Sequence, residues 1–246
     1  LYAAPFHFEM AAGDTAGRRL DRVRLALSTT MSLARGTFDK FHDRFGIALM
    51  QAYGIIEVGL PCINRERTAE RPLAAGTPLP DYRVRLVNQD DYADYGTDCG
   101  EVEVTGPGMF DAYYDPWRPA DDVLRDGWFH TGDIGRLDDD GCLTLLSRTN
   151  SVINIGGMKV FPEEVEAVLA HHASVAEARV YARAHAHLGE TVEAEVAPAP
   201  GAAPDEAELR RCCREQLAPY KVPNRIHVVE ALAKTAVTGK LSRKKD

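Results

Sequence analysis

The first third of the chain alternates short apolar runs with one amphipathic stretch. Leu1 to Ala4 is an apolar run ended by Pro5, and Val23 to Leu27 reads as a second strand. Between Thr37 and Phe45 the aromatics Phe38, Phe41 and Phe45 recur at three- and four-residue spacing, so they share one face of a helix that Gly46 terminates. This strand–helix–strand rhythm predicts α/β architecture. From Gly76 the period changes. Arg83-Val84-Arg85-Leu86-Val87 and Glu101-Val102-Glu103-Val104 alternate with period two, and Gly106-Pro107-Gly108 stops the second run. That pattern predicts a small, mostly antiparallel β region.

A second unit begins near residue 150. Val152 to Ile155 is strand-like, Gly156-Gly157 breaks it, and Pro162 opens a helix at its first position. Glu163 and Glu164 fall in the first turn, where their charge suits the helix dipole, and Val165, Val168 and Leu169 share one face. Strands follow at Ala178 to Ala182 and Val192 to Val196. A Pro/Ala/Gly-rich loop from Ala197 to Pro204 leads to a helix from Asp205 to Leu217 and a strand from Ile226 to Val229. The expected fold class is therefore α/β: a large-domain portion over residues 1–149 with its small β region, then a small α+β domain over 150–246.

Composition narrows the function classes. Apolar residues make up 45% and charged residues 27% of 246, an ordinary globular balance. Lys plus Arg total 29 against 37 Asp plus Glu, a net charge of −8, which argues against a nucleic-acid-tracking surface. No apolar stretch reaches the roughly 20 residues that span a bilayer, so no membrane partner is expected. The five cysteines form no C-x-x-C pair, and Cys212-Cys213 are vicinal. An odd, unpaired set fits reduced thiols in a cytoplasm and no structural zinc.

Chemistry concentrates in four segments: Gln51-Ala52-Tyr53-Gly54-Ile55-Ile56-Glu57; Gly127-Trp128-Phe129-His130-Thr131-Gly132-Asp133; Ser147-Arg148 through Glu166; and Lys234-Thr235-Ala236-Val237-Thr238-Gly239-Lys240. Alone, Asp133 reads equally as a turn residue beside Gly132, Glu57 as a solvated carboxylate, and Lys240 as part of a basic tail. Together and in this order, the segments resemble the signature series of the adenylate-forming superfamily: acyl- and aryl-CoA synthetases, adenylation domains and luciferases. The resemblance runs over essentially the whole chain.

That resemblance assigns roles. Asp133 matches the aspartate that holds both ribose hydroxyls of ATP; an ionised carboxylate is acceptor-only and suits a diol. Its partners are then expected to be ligand hydroxyls rather than protein groups. Tyr53 and Gly54 match the aromatic and glycine beside adenine, and Ser28 to Ser32 stand where a Gly/Ala-rich loop walls the nucleotide. Glu57 matches the Mg²⁺ glutamate, and magnesium on a triphosphate needs few protein carboxylates. The residue before it, usually Thr, is Ile56. Arg148 matches the nucleotide-binding arginine and Asn150 the hinge position, usually Asp or Lys. Gly157 and Lys159 lie in the loop that turns toward the adenylate for the thiol step. There the glycine leaves room for a pantetheine arm, and Lys159 either approaches the phosphate or solvates a strand end. Lys240 matches the catalytic lysine, whose ammonium bridges a carboxylate and the α-phosphate.

The implied reaction is activation of a carboxylic acid by ATP to acyl-AMP, then thioester formation with CoA. A carrier protein's phosphopantetheine is the alternative thiol, and the acidic composition mildly favours CoA. The family's Ser/Thr/Gly-rich phosphate loop has no counterpart in these residues, so the chain reads as the C-terminal part of such an enzyme, with an N-terminal portion as partner. A non-catalytic binder of nucleotide or acyl-adenylate, and an acid-reducing or luminescent relative, remain rival readings.

Overall fold

The computed structural model describes all residues except 18, 32, 66, 67, 69 and 234–246. The chain divides into two compact units, Leu1–Leu145 and the part from Leu146 onward.

In the first unit, β1 (Tyr2–Ala3) runs into α1 (Pro5–Ala12), β2 (Ala26–Ser28), α2 (Arg35–Phe45), β3 (Leu49–Ile55), β4 (Gly59–Ile63) and β5 (Thr77–Pro78). These strands form one sheet in the order β1-β2-β3-β4-β5. The first three are parallel, and β4 and β5 run antiparallel. Helix α2 carries the aromatic face the spacing predicts: Phe41 is wholly buried, and the Gly46 N–H closes the helix on the His42 carbonyl. Helix α1 escapes periodicity because apolar residues line both of its faces. Phe8 packs edge-on against Phe41, 5.1 Å between ring centroids, whereas Phe6 and Met10 are exposed. Its start is legible afterwards: Ala4 is extended and Pro5 sits in the first turn. The strand expected from Val23 to Leu27 lies further along, at Ala26–Ser28, because the Val23 N–H closes a turn on Leu20.

Next come β6 (Arg83–Val87), β7 (Cys99–Thr105), β8 (Ala112–Tyr113), β9 (Arg118–Pro119), β10 (Phe129–Leu137) and β11 (Leu143–Arg148). The antiparallel sheet has the order β11-β10-β7-β6, and β8–β9 is a separate hairpin. Tyr53, Val58 and Cys62 from β3, β4 and their turn bury against Val102, Val104, Phe129 and Leu143, so one core joins both sheets.

The second unit contains β12 (Ile153–Ile155), β13 (Met158–Val160), α3 (Pro162–Ala170), β14 (Val175–His185), β15 (Gly189–Pro198), α4 (Glu206–Gln216) and β16 (Arg225–Val228). Its sheet runs β13-β12-β15-β14, with β16 parallel on β15. Ile155 pairs with Met158 across Gly156 and Gly157, both at positive φ (57° and 99°). A two-residue hairpin with both central residues left-handed matches the strand twist, and glycine reaches that conformation without strain. Val165 and Leu169 of α3 bury with Val180, Val196, Leu209 and Ile226. The Asp205 carboxylate caps α4 by accepting the Glu208 N–H at 2.9 Å. Among the described residues, no helix is long and apolar enough to cross a membrane.

Candidate functional site

The antiparallel sheet slips register between His130 and Ile134, and the bulge carries Thr131-Gly132-Asp133. A bulge leaves ladder groups unpaired. Here the Thr131 hydroxyl takes up two of them, donating to the Val102 carbonyl at 2.9 Å and accepting the Asp133 N–H at 3.0 Å. Gly132 adopts φ 72°, which re-aims the strand so that Asp133 follows it into a buried position, 5% exposed. The Tyr53 hydroxyl, near the C-terminal end of β3, donates to Asp133 Oδ2 at 2.5 Å. Asp133 therefore has a protein partner, which corrects the expectation of ligand hydroxyls alone. Strands β2 and β3 are parallel, and their C-terminal ends lie together, the usual ligand end of such strands. Ser28 and Thr29 are buried there, and a Cβ added to Gly54 would stand 3.6 Å from Thr29 Oγ1. Thr30 takes φ 73°, an unusual conformation for a β-branched residue, which glycine would adopt freely.

Glu57 lies in the tight turn between β3 and β4, closed by the Val58 N–H on the Ile55 carbonyl. The Tyr113 hydroxyl donates to Glu57 Oε1 at 2.8 Å, and the Phe110 N–H donates to the Glu57 carbonyl, also at 2.8 Å. Burial, then the bond to Glu57, pushes the Tyr113 phenol above its ordinary pKa. Tyr82 donates to the Val58 carbonyl at 3.1 Å and fixes the turn from the other side. One oriented carboxylate fits a magnesium ion whose other ligands are phosphate and water. Among the described residues there is no group of three or more metal-ligating side chains. Ile56 points outward, 92% exposed.

The sequence reading missed a polar row next to the bulge. Arg85, Glu103 and His130 pair across β6, β7 and β10. Arg85 donates twice to Glu103 Oε2, at 2.6 and 2.8 Å, and its guanidinium lies 4.2 Å from the Trp128 ring centre. Glu103 is 3% exposed although its strand alternates Glu and Val. The available signal was Arg85 at matching register on the neighbouring strand.

In the second unit, β11 ends at Arg148, and a short helical turn, Thr149–Ser151, carries Asn150. Ser147, where the family has glycine, is buried and donates to Glu163 Oε2 at 2.7 Å. The Gly156–Gly157 turn is exposed at its tip, with Gly157 N–H donating to Asn154 Oδ1 at 2.9 Å and Lys159 half-buried on β13. Lys240 lies outside the described residues. The structure thus brings Tyr53 and Asp133 together, gives Glu57 to Tyr113, and holds Gly157 within its own hairpin.

Two family models match the chain: AMP-binding enzyme over residues 1–114 and AMP-binding enzyme C-terminal domain over 164–240. The 2-succinylbenzoate–CoA ligase of Geobacillus kaustophilus is 38% identical over 200 residues, covering 80% of this chain and 41% of that protein. ATP-bound MatB from Rhodopseudomonas palustris superposes with a TM-score of 0.85 at 27% identity, over 98% of this chain and 48% of that one. The o-succinylbenzoate CoA synthetase of Bacillus subtilis, solved with its acyl-adenylate, gives 0.81 at 27% identity, over 98% and 49%. The chain spans less than half the length of these relatives.

Proposed function

Since the chain belongs to the AMP-binding, adenylate-forming enzymes, we propose that its protein activates a carboxylic acid with ATP and passes the acyl group to CoA. The observation that carries this reading is the buried Asp133 carboxylate presented on the Thr131–Gly132 bulge and oriented by Tyr53. Asp133 would accept the ribose hydroxyls, with Tyr53, Gly54 and the Ser28–Ser32 segment walling the base. Glu57, aimed by Tyr113, would supply one oxygen to Mg²⁺, which would neutralise phosphate charge when bound. Arg148 would reach the ribose or phosphate of the nucleotide, and the lid domain would turn about Asn150 between adenylation and the thiol step. Lys240 would offset the repulsion of carboxylate and α-phosphate in adenylation. Gly157 and Lys159 would serve the thiol step. CoA is favoured over a carrier protein because several of the similar curated relatives are CoA ligases.

One observation favours a second reading, a nucleotide or acyl-adenylate binder without catalysis. Ile56 offers no hydroxyl where the family has one. The two readings separate in the full-length protein. Acid-dependent ATP–pyrophosphate exchange followed by CoA-dependent thioester formation is expected. In Lys240→Ala, exchange should fall roughly 10²–10³-fold while thioester formation from supplied acyl-AMP stays near wild type. Nucleotide binding with no exchange across a panel of aromatic, aliphatic and dicarboxylic acids would favour the binder. An equal fall in both steps would remove Lys240 from its assigned role.

A further inference from the structure

The hairpin joining β14 to β15 holds a histidine used in an unusual way. His185 pairs with Gly189, and the loop Ala186-His187-Leu188 lies between them. The backbone N–H groups of His187 and Leu188 both donate to His185 Nδ1, at 3.3 and 3.2 Å. Nδ1 is thus the acceptor, and the neutral ring carries its proton on Nε2. The loop so shaped is itself a scaffold. The Leu188 carbonyl accepts the Gly156 N–H at 2.9 Å, and Leu188 Cδ2 would lie 3.8 Å from a Cβ on Gly156. Beyond it, Glu190 Oε2 accepts the Asn154 N–H at 2.8 Å, and Asn154 Oδ1 accepts the Gly157 N–H. The Gly156–Gly157 tip, whose two residues have no side chains to anchor it, is held from the β14–β15 loop.

We propose that His185 is a positioning residue for the thiol step: through Leu188 it fixes the Gly156–Gly157 turn. This rests on the proposed function, which assigns that turn to the passage of the thiol. His185 touches no substrate; its effect travels through two backbone bonds and one carbonyl. Loss of the Nδ1 acceptor leaves two loop N–H groups to water and frees the Leu188 carbonyl to move. Asparagine places Oδ1 the same number of bonds from the backbone as Nδ1, whereas glutamine places its amide one bond further out. His185→Asn and His185→Gln, two similar amides, should therefore behave differently.

The experiment uses the full-length protein carrying His185→Ala, His185→Asn or His185→Gln. Hydrogen–deuterium exchange is followed on a peptide spanning 153–160. CoA kinetics are measured with whichever of 2-succinylbenzoate, benzoate and hexadecanoate supports pyrophosphate exchange. In His185→Ala and His185→Gln, exchange in 153–160 should quicken about tenfold and KM for CoA should rise about five- to tenfold. The rate of ATP–pyrophosphate exchange should stay at the wild-type value, and His185→Asn should restore both other readouts. Unchanged protection of 153–160 in His185→Ala overturns the inference, as does faster exchange with an unaltered KM for CoA. Equal behaviour of the Asn and Gln variants also overturns it. Absence of pyrophosphate exchange in the wild type would instead strike the proposed function, leaving the exchange data to judge His185 as the anchor of the turn.

Discussion

Asp133 and Tyr53 are held to each other by a hydrogen bond within the fold. Burying a carboxylate to 5% exposure costs free energy unless donors reach it, and the phenol at 2.5 Å is one such donor, while the Thr131 hydroxyl holds the Asp133 backbone in place. Replacing Asp133 therefore has two consequences that substitution chemistry can separate. Alanine removes the acceptor of the Tyr53 hydroxyl bond from a buried position, at a cost of about 1–3 kcal/mol of stability. Asparagine keeps an oxygen for Tyr53 and loses the charge needed by a diol. The expected outcome in the full-length protein is a thermal midpoint near wild type for Asp133→Asn and lower for Asp133→Ala. Both variants should lose about 1.5–3 kcal/mol of ATP or AMP affinity by calorimetry. Undiminished nucleotide affinity in both would make Asp133 a structural turn residue. Tyr53→Phe tests the same pair from the other side. It keeps the ring and removes the donor, so affinity should fall less than for Asp133→Asn; a larger fall would make Tyr53, not Asp133, the main nucleotide contact.

Elements were legible where one local rule governed them and obscure where a distant partner did. The Gly156–Gly157 hairpin, the cap of α4 and the aromatic face of α2 follow from turn chemistry and period alone. The bulge at Thr131–Asp133 does not, because a register slip is a property of two strands and only one of them carries the motif. The same holds for α3. Its glutamates read as dipole partners, and Glu163 and Glu164 do sit in the first turn. Each, however, has a specific acceptor role: Glu163 for Ser147, Glu164 for Lys221 and Glu166 for the Val180 N–H. Lys221 is 8% exposed and gives two bonds to Glu164, at 2.8 and 2.9 Å. Removing one member of such a buried charged pair costs more than replacing both with apolar side chains. Because the Glu164 side chain is 36% exposed, Glu164→Leu should cost about 1–3 kcal/mol rather than the full penalty of a buried pair. Adding Lys221→Met to that variant should recover at least half. Urea midpoints for the two single variants and the double variant measure this, and additive losses would show that the pair is not coupled.

At the scale of the molecule, two units each enclose a core of their own, and buried thiols serve as reporters in both. All five cysteines are free; Cys62, Cys99, Cys142 and Cys213 are buried, and Cys212 is partly exposed. Burial, with the Cys142 thiol as a lesser cause, pushes Cys62 from its ordinary value of 9.0 up to about 12. Burial likewise raises Cys99 and Cys213 to about 11. The sign of the consequence follows from proton counting. Between pH 9 and 11 the unfolded chain has released these protons and the folded chain retains them, so folding binds protons and stability falls as pH rises. Below pH 9 both states are protonated and the contribution is intact. Cys62 and Cys99 lie in the first unit and Cys213 in the second, so both units should weaken together on the alkaline side. The same burial withholds the thiolate that alkylation requires. In iodoacetamide labelling at pH 8.5, read by peptide mass spectrometry, Cys212 should react first and the other four only once denaturant opens the fold. Raising the pH from 8 to 10.5 should lower the urea midpoint. The drop should be smaller in a variant carrying Cys62→Ala, Cys99→Ala and Cys213→Ala, once its lower starting stability is subtracted. Equal drops in the two proteins, or native-state labelling of Cys62 as fast as that of Cys212, would show that burial does not hold these thiols protonated.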